Sequence, residues 1–182
     1  MFYFTADEHY GHLNIIKHCK RPFTSVEAMD KALIANHNNR VRKGDTVIHG
    51  GDFSWLKSYK EVKEKYISKL NGNHIFIRGN HDSWLNDPEC AIKAHEIATE
   101  KIDGQLIVVC HYAMRVWQGS HQNSWQLYGH SHNRLQPAGK QCDIGVDANS
   151  YFPFSPFSFN EIREIMEISE DNFDLIKRHI KR

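Results

Sequence analysis

Residues 74–82 read HIFIRGNHD. The run His74-Ile75-Phe76-Ile77 carries the β-branched and aromatic residues that favour a strand. It gives way to an arginine and a glycine, and then to an amide, an imidazole and a carboxylate in succession (Asn80, His81, Asp82). Three side chains of such different chemistry at one strand end have two readings. One is a polar turn. The other is a metal site that brings its own acid. The rest of the chain decides between them.

The bulk numbers set the frame. The chain has 182 residues, which suits one domain with a full hydrophobic core. Apolar residues make up 40% and charged ones 25%, ordinary values for a soluble globular protein. No apolar run is long enough to span a bilayer. The residues Met1-Phe2-Tyr3-Phe4-Thr5-Ala6-Asp7 lack the basic n-region of a signal peptide, so a cytoplasmic protein is expected. Cys19, Cys90, Cys110 and Cys142 form no Cys-x-x-Cys pair and read as free, mostly buried thiols. The net charge of +1 writes no general attraction to nucleic acid, so binding driven by charge is not indicated. A small phosphorylated substrate held through metals remains compatible with it. The unusual count is 13 histidines, several in tight groups with Asp and Asn.

Outward from residues 74–82 the chain alternates. Residues 2–6 read as a first strand and 46–49 as a second, ending in Gly50-Gly51. Between them Val26, Met29, Leu33 and Ile34 recur at helical spacing behind Thr24-Ser25-Val26-Glu27, which has the capping-box form. That helix should end before Gly44. Residues 59–70 read as a charged amphipathic helix closed by Asn71-Gly72-Asn73. Residues 88–95 read as a short helix with Pro88 in its first turn. Asp103-Gly104 is a hairpin-type turn leading into a buried strand at 106–110. Residues 126–128 and 141–146 are later strand candidates. Ser158-Phe159-Asn160-Glu161 is a second capping box, opening a helix to about residue 168. Residues 172–180 fit helix or strand equally. The order suggests an α/β sandwich in a single domain.

Each expected strand delivers Asp, Asn or His at its C-terminal end, where α/β sheets gather ligands. The first ends in Asp7-Glu8-His9, the second in Gly51-Asp52, the third in Gly79-Asn80-His81-Asp82. Residues 106–110 run into His111, and 126–128 into Gly129-His130-Ser131-His132. One such group alone reads more simply as a hydrogen-bonded structural residue. Five in order, most flanked by glycine, point to ligands converging on one place. The pool holds carboxylates, imidazoles and one carboxamide without a thiolate. That excludes a Cys-rich structural zinc site and suits Mn, Fe or Zn. It exceeds what one ion needs, so two ions sharing a ligand is the economical arrangement.

As a set these residues resemble the calcineurin-like metallophosphoesterases, whose five motifs are Asp-x-His, Gly-Asp, Gly-Asn-His-Asp/Glu, His and Gly-His-x-His. All five occur here in order between residues 7 and 132. Gly11-His12-Leu13-Asn14-Ile15-Ile16, Arg21-Pro22-Phe23 and Gly145-Val146-Asp147 look like a compact bacterial or phage branch of that family. The resemblance implies a four-layer sandwich, two mixed β-sheets packed face to face with helices outside. It also implies two divalent ions (Mn, Fe, Zn or Ni) and a bridging hydroxide as nucleophile. Asp7, His9, Asp52 and His132 would hold one ion. Asp52, Asn80, His111 and His130 would hold the other, with Asp52 shared. His81 would protonate the leaving oxygen, oriented by Asp82. The sequence departs from the pattern at Phe53-Ser54-Trp55, where many members carry a second Asp, and at Tyr112, where a proline is common. Neither change touches a ligand position.

A second tier is less determined. His12, Asn14 and Arg21 are candidate contacts for the substrate phosphate, against the plainer reading of a solvated first helix. Arg78 reads as a partner for a carboxylate across the sheet edge, and His49 as core or as support behind the ligands rather than a ligand itself. Trp84, Trp117 and Trp125 read as core packing, with stacking on a base as the alternative. Residues 112–124 form a polar loop placed to rim the metals. The leading function is a metal-dependent phosphoesterase. The alternatives are a nuclease or cyclic-nucleotide phosphodiesterase on the same core, or a metal-binding scaffold without turnover. Substrate and oligomeric state are not written in the residues.

Overall fold

The computed structural model describes residues 1–172. Among these residues, eight strands and four α-helices run in the order β1 (Phe2–Thr5), α1 (Leu13–His18), α2 (Val26–Arg40), β2 (Thr46–His49), α3 (Tyr59–Lys65), β3 (Asn73–Phe76), β4 (Ile97–Ile102), β5 (Gln105–Cys110), β6 (Trp125–Tyr128), β7 (Gln141–Asp143), β8 (Phe157–Ser158) and α4 (Phe159–Ile168). They make two four-stranded sheets, ordered β3-β2-β1-β8 and β4-β5-β6-β7. Both are mixed. In the first, β8 runs against a parallel trio; in the second, β4 runs against one.

The strands are two-faced, as a period of two requires. Phe4 and Ile48 point between the sheets and meet Ile107, Val109 and Leu127 of the other sheet in one buried cluster. The alternate positions face the helices. Phe76 packs there with Met29 and Leu33 of α2, Val62 of α3, and Phe53 and Trp84. Two mixed sheets flanked by helices are thus observed, as expected. Parallel register sets the ends of β1, β2 and β3 level, Thr5 opposite His49 and His49 opposite Phe76. In the second sheet Val109 lies opposite Leu127. The loops after all five strands therefore open at one edge, where Gly129 N–H donates to the His111 carbonyl at 3.0 Å and Val146 N–H to the Ala6 carbonyl at 2.9 Å.

Some expectations need correction. No helix forms at 88–95. A 3-10 turn at Ser83–Asn86 precedes it, and Asp87, extended as residues before proline prefer, takes the Tyr59 N–H on its carboxylate at 2.8 Å. His95 is drawn onto the edge of β3, donating to the Phe76 carbonyl and accepting from Arg78 N–H. Strand β4 was not foreseen, because its stretch Thr99-Glu100-Lys101 hides an alternation in which only Ala98 and Ile102 are buried. The cap of α2 is Ser25, accepting from Ala28 N–H, so the helix begins one residue later than the Thr24 box implied. The helix α3 stops at Lys65, with a 3-10 turn at Ile67–Lys69 in place of a continuation to 70. The Ser158–Glu161 capping box is formed on both sides. Of residues 172–180, all but Asn172 lie outside the described part.

Candidate metal centre

The loops after β1 and β2 are zipped together by their backbones. Asp7 N–H donates to Gly51 O, His9 N–H to Asp52 O and Tyr10 N–H to Phe53 O, at 2.9–3.0 Å. This forces Asp7 (φ 56°), His9 (φ 54°) and Asp52 (φ 56°) into the left-handed region, and His130 (φ 66°) and His132 (φ 47°) share it. Non-glycine residues avoid that region and persist there only where the surroundings over-determine them. Gly79 lets the third loop close on the second: a Cβ there would lie 2.1 Å from the Asp52 nitrogen.

The side chains so aimed fall into two groups. Asp7, His9 and His132 place one donor atom each within 4.8 Å of one another, and so do Asp52, His111 and His130. Asp52 joins the groups: its Oδ2 lies 3.6 Å from His9 Nε2 and 3.5 Å from His111 Nε2. Asn80 Oδ1 is 3.1 Å from His111 Nε2. His81, with its side chain 39% exposed, stands at the mouth with Nε2 4.0 Å from Asp52 Oδ2. The seven residues expected as ligands and the expected acid are thus neighbours in space.

The donors fit divalent ions. Among the described residues Asp7 Oδ2 and His9 Nε2 are buried without a hydrogen-bond partner, where buried polar atoms generally find one. Burial pushes the His9 imidazole down to about 2, which keeps it in the neutral ligand form. Burial opposes charge on Asp52, but the His111 imidazole and the His81 N–H hold its carboxyl at about 2. His111 sets Nδ1 2.9 Å from the Gly50 carbonyl; donating there leaves Nε2, the nitrogen turned toward Asp52, as the atom an ion would take in place of a proton.

Outer partners hold these donors in place, as metal ligands generally require. His132 Nδ1 lies 2.8 Å from Asp147 Oδ2. Arg21 grips that carboxylate with Nε at 2.8 Å and Nη2 at 2.7 Å. The same guanidinium donates to the Asp7 carbonyl at 2.7 Å and the Glu8 carbonyl at 2.9 Å, with Nη1 also 3.4 Å from Met29 Sδ. Its donors are consumed and its side chain is fully buried. Arg21 is therefore no phosphate contact, and that expectation is corrected: it splints the first loop to Asp147, 126 residues away. The sequence held the signal in Arg21-Pro22-Phe23 and Gly145-Val146-Asp147, though not the pairing between them.

Asp82 also needs correction. Its carboxylate accepts from the backbone N–H groups of Asp52, Phe53, Ser54 and Gly79 and from the Trp84 indole, all within 2.8–3.2 Å. A carboxylate has about four lone-pair sites, so none is left to orient His81. Asp82 ties the third loop to the second. His81 is steadied through its own N–H, which donates to Asp52 Oδ1 at 2.8 Å.

The second tier divides. His12 is buried, its Nδ1 3.3 Å from His9 Nδ1. Asn14 is exposed on α1. Arg78 pairs with Glu96 at 3.3 Å, and His49 is core, 2.6 Å from Glu8 Oε1, both as expected. Trp84, Trp117 and Trp125 are buried, as the packing reading held. The fourth tryptophan, Trp55, is 45% exposed beside the site and was not singled out. Tyr112 opens the 112–124 loop with its ring 4.8 Å from that of His130. Cys19 lies beside His132 and Asp147, a sulfur donor at the margin of an otherwise N/O set.

A family model described as the calcineurin-like phosphoesterase superfamily domain matches residues 6–143. An uncharacterized protein of Methanocaldococcus jannaschii, MJ1445, is 31% identical over 160 residues, covering 84% of this chain and 85% of that protein. Among solved structures, the protein of unknown function AQ665 from Aquifex aeolicus superposes with a TM-score of 0.69 at 22% identity, over 91% of this chain and 98% of the other. At that identity the likeness speaks for the fold alone.

Proposed function

The chain belongs to the calcineurin-like phosphoesterase superfamily, a family of metal-dependent phosphoric ester hydrolases, and on that premise we propose a dinuclear centre that cleaves a small phosphorylated substrate. Asp7, His9, Asp52 and His132 hold one divalent ion, and Asp52, Asn80, His111 and His130 the other. Mn, Fe, Zn and Ni all suit such donors. Two such ions supply an activated water near neutral pH and neutralise charge gathering on the phosphoryl oxygens.

The chain's own groups do the rest. Asp52 reaches both donor groups with one carboxylate, which is the observation that carries the reading. His81 stands outside the donor groups but 4.0 Å from Asp52, which supports its role as the proton donor to the leaving oxygen. Arg21 and Asp147 fix the His132 ring, and Asp82 fixes the loop that carries Asn80 and His81. Free cysteines support a cytoplasmic setting.

Turnover of p-nitrophenyl phosphate and of bis-p-nitrophenyl phosphate with Mn, Ni and Zn tests the proposal and separates monoester from diester preference. Activity on at least one ester, lost on chelation, is expected. Tight metal binding without turnover of either would leave a scaffold. A nuclease reading needs a basic track along a strand, which a net charge of +1 does not advertise.

A further inference from the structure

We propose that the ester cleaved here carries a flat aromatic group, a nucleobase or an aryl ring, on its leaving side, and that Trp55 receives it. The inference rests on the phosphoesterase reading above. Of the four tryptophans, Trp84, Trp117 and Trp125 are 0–8% exposed, while Trp55 is 45% exposed. Its position is built. Trp55 N–H donates to the Tyr10 carbonyl at 3.0 Å, and Ser54 bridges to Tyr10, so the residue rides on the zipped metal loops. One indole face lies flat on the His12 ring, with centroids 3.9 Å apart and planes 11° apart. His12 in turn backs onto His9. The indole is also 4.8 Å from the His81 ring.

His81 can protonate the leaving oxygen only from hydrogen-bond distance. The body of the leaving group therefore starts beside His81, and the indole is the large apolar surface it meets there. A rigid, half-open indole next to the acid is a stacking platform for a planar group. On the other side of the centre Tyr112, 48% exposed, lies against His130. With Arg21 fully engaged and a net charge of +1, the surroundings favour one flat group over a long phosphate backbone.

Adenosine 5′-monophosphate and ribose 5-phosphate share the ester linkage and differ by the base. Their inhibition constants against p-nitrophenyl ester turnover, with the metal-loaded full chain, isolate the ring. The nucleotide should bind about tenfold or more tighter than the sugar phosphate. Trp55→Ala should bring the two constants together, and Trp55→Phe, which keeps a ring, should preserve most of the gap. Equal constants in the wild type, or an unchanged ratio in Trp55→Ala, overturn the assignment while leaving the phosphoesterase reading in place. No turnover of either p-nitrophenyl ester with Mn, Ni or Zn overturns both.

Discussion

His81 and Asp82 are adjacent in sequence, yet they serve different ends. His81 reaches the mouth of the centre, whereas Asp82 spends its oxygens on four backbone N–H groups from two loops and the Trp84 indole. His81→Ala should keep metal binding and lose turnover more on alkyl phosphates than on activated aryl phosphates. A steady-state comparison checks it, and equal loss on both would remove the acid role. Asp82→Ala should instead act on stability, costing about 3 kcal/mol because it strands buried N–H groups. Denaturant unfolding measures this, and a variant of wild-type stability that had lost turnover would argue for the discarded orienting role. Arg21→Lys loses the forked grip on Asp147. It should weaken metal affinity by about 10–100-fold, seen by calorimetric titration, while the ester preference stays.

At the scale of elements, what was legible in the sequence was what repeats locally. Phe4, Ile48 and Ile107 announce strands by their own run, and Ser158 with Glu161 announces α4 because both halves of the cap lie three residues apart. The motif residues were legible because glycines flank most of them and because each group follows a strand. Long-range pairings were not legible. Nothing near Arg21 names Asp147, and nothing near Asp82 shows that its oxygens face the Asp52 loop. β4 is hard to read because its exposed face mixes Ile97 with Thr99 and Lys101 and its buried face holds only Ala98 and Ile102. Trp55 was passed over because a tryptophan's exposure depends on which loops meet around it. The close approach of those loops makes its own prediction. Gly79→Ala puts a methyl against the Asp52 nitrogen and Oδ1, at 2.1 and 2.2 Å. The loops must part, so metal binding should fall sharply at both sites, and retention of wild-type metal affinity would contradict the fold of this edge.

For the whole molecule, two sheets bring their strand ends to one edge, and the proposed centre would draw on both: Asp7, His9, Asp52 and Asn80 from the first, His111, His130 and His132 from the second. Metal binding should therefore stabilise the junction of the sheets and raise the melting temperature, an effect reversed by chelator. It should also depend on pH. In the metal-free protein, burial pushes the Asp7 carboxyl up to about 7. Burial opposes charge on His132, yet the hydrogen bond to Asp147 holds its imidazole up at about 10. Both groups would shed protons on becoming ligands, so affinity should rise with pH by about tenfold per unit for each proton displaced, through both groups below about 7 and through His132 alone from there to about 10. The central claim is that Asp52 serves two ions at once, and metal counting tests it most directly. Equilibrium dialysis of the full chain against Mn should saturate at about two ions per chain, while Asp52→Ala holds fewer than about one under the same conditions. Saturation of the wild type at a single ion with full turnover, or two ions undiminished in Asp52→Ala, would contradict it.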